Sequence, residues 1–220
     1  MKYFLVLILV LPFVGNAQQE VKNLKHEFQL TVGLDSYLAF EFEPSYSYMF
    51  HKNIGITGGI RFTKEVVDNL HYDLIGGPVY QWRISNKKEV SGMLLRPALH
   101  LKYPIINDWI FIVAEPGIFL NFIPNETLEF AYINTETIEL IIPEYKRVKN
   151  NGGRVLSYDM KTYISIAIDN WAILCGYDFS TFDLYSGRRN IIIEGDALNK
   201  HLPSKTKLCH TGFVGVTYFF

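Results

Sequence analysis

From residue 27 to the end of the chain, segment after segment carries a bulky apolar residue at every second position. A period of two is the signature of a strand, because successive side chains of an extended chain point to opposite faces. In 27–35 Phe28, Leu30, Val32 and Leu34 alternate with Gln29, Thr31, Gly33 and Asp35. In 39–50 Phe40, Phe42, Pro44, Tyr46, Tyr48 and Phe50 stand against Ala39, Glu41, Glu43, Ser45, Ser47 and Met49. The same rhythm runs through 54–63, 94–103, 110–122, 159–168, about 171–182 and 208–220. That makes eight strands and an all-β chain. After the N-terminal block no run approaches the ~18 apolar residues of a membrane helix, so helical spans are excluded.

Which face is bulky decides what kind of sheet this is. The apolar face carries Phe28, Phe40, Tyr46, Phe62, Tyr103, Phe122, Phe179, Tyr218 and Phe220, too many rings for the lumen of an eight-stranded barrel. The other face is small, polar or charged. Large apolar residues outside and small polar ones inside describe a barrel that faces lipid. Rings concentrated near strand ends suit aromatic girdles at the two membrane interfaces. Composition agrees, with 49% hydrophobic and 15% aromatic residues. Lys plus Arg number 21 against 22 Asp plus Glu, without the basic excess that nucleic-acid binding needs. No nucleic-acid partner is expected.

The connections fit the same picture. Short turns are expected at His51-Lys52-Asn53, Ile106-Asn107-Asp108 and Asp169-Asn170, and long ones near 64–91, 123–157 and 183–207. Tight turns at one end and long loops at the other give a transmembrane, antiparallel, up-and-down β-barrel of eight strands with extracellular loops. Tyr72 to Ile84 also reads as a strand and is placed in the first long loop as an extension. A ten-stranded barrel recruiting 128–142 is the alternative. At the N-terminus, Lys2, the apolar block Tyr3 to Val14 and the small residues Gly15 and Ala17 have the layout of a secretory signal peptide. Residues 1–17 are thus expected to be removed, leaving 18–220 as the barrel. Export would expose Cys175 and Cys209 to oxidising surroundings, but their opposite strand faces count against a disulfide.

The stretch Leu94-Leu95-Arg96-Pro97-Ala98-Leu99-His100-Leu101-Lys102-Tyr103, followed after a turn by Ala114-Glu115-Pro116-Gly117-Ile118-Phe119-Leu120, resembles the outer-membrane β-barrel domain family common in Bacteroidetes. That family is similar to the small OmpA/OmpX-type barrels. The ending Val214-Gly215-Val216-Thr217-Tyr218-Phe219-Phe220 looks like the aromatic signal by which such barrels enter the outer membrane. The resemblance implies outer-membrane lipids, lipopolysaccharide and the barrel-assembly machinery as partners, with Val214, Val216, Tyr218 and Phe220 as the insertion signal. It offers no catalytic residue.

On the inward face lie Glu27, Asp35, Glu41, Glu43, Glu115, Asp159 and Asp178, with Arg61, Arg96, Lys102, Lys161 and His100. Charges in a narrow interior must pair. They form either a salt-bridged plug or a gated ion path, with Glu115 set against Arg96 or Lys102 and Glu41 or Glu43 against Arg61. No HxxxH, HExxH or CxxC spacing occurs, so no metal or cofactor is expected. His210 on the outer face lacks a Ser or acidic neighbour, so no enzyme is expected. Gly187-Arg188-Arg189 reads as a solvated basic cluster able to touch lipopolysaccharide. Tyr72, Tyr80, Trp82, Phe130, Tyr132 and Tyr145 read as exposed loop aromatics for recognition. Function classes are therefore a structural barrel, a small porin-like channel, a surface-loop adhesin, or a soluble periplasmic ligand carrier.

Overall fold

The computed structural model describes residues 24–66, 75–76, 80–86, 89–106, 109–134 and 144–220. The expected signal peptide, residues 107–108 of one turn, and Tyr72 lie outside them. Barrel strands are β1 (His26–Asp35), β2 (Ala39–His51), β3 (Ile54–Glu65), β6 (Ser91–Ile106), β7 (Ile110–Asn121), β10 (Leu156–Ile168), β11 (Trp171–Ser180) and β14 (Cys209–Phe219). Each pairs antiparallel with the next, and β1 closes on β14 from Glu27↔Phe219 to Asp35↔Thr211. The barrel is closed and has eight strands. Strands of 10 to 16 residues are long enough to span hydrocarbon at a tilt.

The long connections contain their own sheets. Strands β4 (Ile75–Gly76), β5 (Tyr80–Ile84), β8 (Thr127–Asn134) and β9 (Tyr145–Lys149) form a separate four-stranded sheet. A hairpin of β12 (Ile192–Ile193) and β13 (Asp196–Ala197) lies in the last connection. The ten-stranded alternative is thereby overturned. β7 pairs directly with β10 from Leu156↔Leu120 to Ile166↔Ile110, which leaves no slot for 128–134.

Local chemistry fixes the turns. Between β1 and β2, Asp35 Oδ1 accepts the N–H groups of Tyr37 and Ala39, both at 2.8 Å. Leu38 adopts a positive φ of 61° there, and Asp169 does so at 53° in the β10–β11 turn. Asp takes up the left-handed conformation more readily than most residues.

Side chains alternate across the barrel wall as the sequence requires. Phe28, Phe40, Phe62, Tyr103, Phe122 and Tyr158 point outward and are exposed, whereas Glu43, Arg96, Glu115 and Lys161 are buried inside. Rings gather outside at both ends. Phe40, Phe62, Phe122 and Tyr158 ring the loop end, and Trp171, Tyr218 and Phe220 the turn end. At the turn end Trp171 and Tyr218 have centroids 4.8 Å apart, and Phe220 stacks on His26 at 5.5 Å.

Two apolar clusters stopper the inside. One, at the turn end, contains Phe111, Val113, Tyr163, Leu174, Phe213 and Phe219. Gly176 makes room for it, since a Cβ there would lie 2.4 Å from that of Tyr163. The other joins the loop end of the barrel to the long connections, through Leu94, Phe119, Leu128, Phe130, Phe182 and Tyr185. The long connections are thus a folded cap with a core of its own.

Candidate functional site

The barrel wall brings the predicted inward residues together in one continuous ladder. Near the loop end Arg61 Nε donates to Glu43 Oε2 at 2.6 Å, and its Nη1 to Asp178 Oδ2 at 2.6 Å. Glu41 lies 3.1 Å from the same Nη1. At the middle Arg96 Nε donates to Asp159 Oδ2 at 2.7 Å and its Nη1 to Glu115 Oε2 at 2.8 Å. Lys161 Nζ donates to Glu43 Oε1 at 3.0 Å. Toward the turn end Glu115 Oε1 faces His100 Nδ1 at 2.8 Å and accepts the Tyr163 hydroxyl at 3.0 Å. Lys102, offered by the sequence as a partner of Glu115, is instead bonded to Glu27 Oε1 at 3.0 Å. Asp35 turns away from this ladder to cap the β1–β2 turn.

Two of these bonds cross the whole lumen. β3 lies opposite β11, and β2 opposite β10, in the strand order. Arg61–Asp178 and Lys161–Glu43 therefore tie walls that share no backbone hydrogen bond. A gap of about 10 Å³ lies beside them, between Thr31, Gly33, Glu41 and Phe213. That is about the room one water molecule needs, too small for a hydrated ion.

Sequence reasoning missed the rings beneath the cations. Arg61 lies over Phe119 at 4.5 Å, Lys161 over Phe213 at 4.7 Å, and Lys102 over Phe111 and Phe219 at 4.4 and 4.5 Å. Cation–π attraction is strongest where water is excluded. The signal was present, since all four rings stand at inward parity among polar residues. Below Lys102 the barrel opens at its turn end into a mouth of about 690 Å³, lined by Glu27, Lys102, Phe111, His51 and Lys52.

The cap corrects two expectations. Arg188 is no solvated cation: it is fully buried, with Nε on Glu126 Oε2 at 2.9 Å and Nη2 on the Glu89 carbonyl at 3.0 Å. Arg189 pairs with Asp183 at 2.6 Å and donates to the Pro203 carbonyl. Both arginines are drawn inward because folded loops leave acceptors that water cannot reach. Trp82 and Phe130, read as exposed, are buried in the cap core, and Tyr132 packs edge-on to Trp82 at 5.3 Å. Tyr145 is exposed; the Tyr80 side chain lies outside the described residues. On the cap surface the Arg147 guanidinium and the Ser85 hydroxyl hold the Glu129 carboxyl below its usual range.

Cys175 faces out and Cys209 in, both as free thiols. His210 is exposed, with the Tyr177 ring 5.8 Å away. Among the described residues no three His, Cys, Asp or Glu side chains are grouped to hold a metal ion.

No family model and no curated protein matches this chain. Solved structures do. A major outer membrane protein from Thermus thermophilus covers 89% of this chain and 98% of its own, with a TM-score of 0.51 and 11% identity. Neisserial surface protein A covers 90% and 98%, with a TM-score of 0.47 and 8% identity. The N-terminal barrel domain of Pseudomonas aeruginosa OprF covers 89% and 96%, with a TM-score of 0.44 and 10% identity. The shared feature is the fold: a small closed barrel of the outer-membrane architecture.

Proposed function

We propose that this chain is an integral outer-membrane β-barrel protein of a Gram-negative envelope, closed to ions and without catalytic activity, whose working surface is its cap. The observation that carries this reading is the inversion of the barrel. Its outside is a belt of exposed aliphatic and aromatic residues, and its inside an interlocked ion-pair ladder. A soluble ligand carrier would expose that belt to water, at about 25 cal/mol per Å² of apolar surface. A closed barrel in lipid leaves no unpaired backbone edge. The porin-like reading loses ground to the two bonds that cross the lumen.

Purified protein should remain compact in detergent without boiling and migrate more slowly after it, and planar bilayers containing it should stay electrically silent. Discrete conductance steps would overturn the closed-lumen reading, and heat-insensitive, water-soluble protein the membrane one.

The last strand is the segment we assign to recognition by the assembly machinery. Its outward residues Val214, Val216, Tyr218 and Phe220 are all exposed, and the Phe220 ring rests on His26 and Tyr218. Phe220→Ala should lower the folded, membrane-inserted fraction in cells several-fold while refolding from urea into detergent is unchanged. Equal losses in both settings would make the ring a stability element instead.

A further inference from the structure

Where the cap meets the barrel, a cavity of about 810 Å³ opens between the loop ends of β3, β6 and β7 and the segment 182–187. Its size falls within the roughly 300–1,000 Å³ of small-molecule sites. Two kinds of surface meet in it. Phe62 and Met93 belong to the exposed outer belt and Ile123 is exposed just beyond β7, whereas Phe182 and Leu184 belong to the buried cap core. The cavity therefore leads from the belt sideways, under the cap.

Its polar lining is Thr63, Lys64, Glu89 and Ser91 on the β3–β6 side and Asn121 and Glu126 on the β7 side, with Glu126 held by Arg188. Lys64 and Glu89 form a 2.7 Å ion pair there, with both side chains more than 60% exposed. An exposed pair contributes at most about 1 kcal/mol, so Lys64 is open to exchange with another anion. Thr63 is 2% exposed, and its hydroxyl has no hydrogen-bond partner among the described residues. A buried, unpaired hydroxyl next to an open cavity is unusual, because such groups normally find a partner. Gly92 holds this space open, since a Cβ there would stand 2.9 Å from that hydroxyl.

We propose that this rim cavity binds a single-chain amphiphile with a carboxylate head, of the fatty-acid class, taken from the outer leaflet. The tail passes between Met93 and Ile123 to lie against Phe182 and Leu184, and the head takes the Lys64 ammonium. The continuity of the cavity with the lipid-facing belt argues for a membrane-borne ligand. An anionic head fits because Glu126 is already held by Arg188 and Lys64, the cation among the lining residues, has only the exposed Glu89 to give up. This inference rests on the membrane reading above.

The test uses the full-length protein in phosphatidylcholine nanodiscs, with palmitic acid carrying a mid-chain diazirine. Cross-linking should saturate, be competed by plain palmitate, and fall on peptides containing 91–93 and 182–187. Met93→Trp, which fills the entrance from the belt side, should cut it about tenfold, the equivalent of roughly 1.4 kcal/mol. Lys64→Glu, a change at an exposed position, should weaken it about threefold, within the range of a surface ion pair. Labelling spread evenly over the belt, or not competed by palmitate, would overturn the site. Labelling that is saturable but indifferent to Lys64→Glu would overturn the carboxylate assignment. Incorporation into the nanodiscs is scored separately by heat-dependent gel mobility, and a chain that stays out of the bilayer overturns the membrane reading and this one with it.

Discussion

Arg96→Met is expected to destabilise the barrel by about 3–5 kcal/mol, the usual cost of removing one partner from a buried ion pair. Arg96 has no exposed surface and holds Glu115 and Asp159 at 2.8 and 2.7 Å, with Glu43 at 3.5 Å. Methionine fills much the same volume, so the loss would be electrostatic rather than a cavity. Three carboxylates would be left facing one another without their common cation. The check is the urea midpoint for unfolding from lipid vesicles. Adding Glu115→Gln to Arg96→Met should recover part of the loss, because one unpaired charge is then gone. Lys102→Met should cost less, since Lys102 borders the open mouth at the turn end. A midpoint for Arg96→Met equal to that of the unaltered protein would mean that the ladder is not what braces the lumen.

That ladder shows where sequence reading succeeds and where it stops. Parity alone places Glu43, Arg61, Arg96, Glu115 and Lys161 inside, because a strand with one face in lipid cannot slip by a residue without burying its charges there. Pairs on neighbouring strands follow from chain order, as for Arg96 on β6 and Glu115 on β7. Pairs across the lumen do not. Arg61 and Asp178 are separated by 117 residues and sit on opposite walls, and only the closed strand order and tilt bring them within 2.6 Å. The cap was less legible still. Alternation in 80–84 and 128–134 shows strands, but the same pattern serves a barrel wall and a sheet outside it. Burial of Phe130 and Trp82 depends on three connections meeting, which no local period records.

Arg188→Ala is expected to release the cap while leaving the barrel closed. Glu89 lies in the connection after β3, Glu126 in that after β7, and Arg188 in that after β11. One buried guanidinium thus binds all three, through the Glu89 carbonyl and the Glu126 carboxylate. Losing it strands an acid that is 14% exposed and a carbonyl acceptor. An uncompensated buried charge of this kind costs about 3–5 kcal/mol, more than loops with a small core can absorb. The barrel strands have their own continuous ladder and do not depend on that contact. Limited trypsin digestion should therefore cut within 144–154 and 187–207 at least tenfold faster, a factor equivalent to about 1.4 kcal/mol of local opening. Heat-dependent mobility of the trypsin-resistant barrel should be unchanged. Tyr185→Phe offers a graded comparison. It removes the 2.7 Å hydrogen bond from the Tyr185 hydroxyl to Glu65 Oε1, which joins the cap to the barrel rim, but keeps the ring packed against Tyr37. If Arg188→Ala leaves the cap as protected as before, the cap is held by its apolar core alone, and the guanidinium is a passenger.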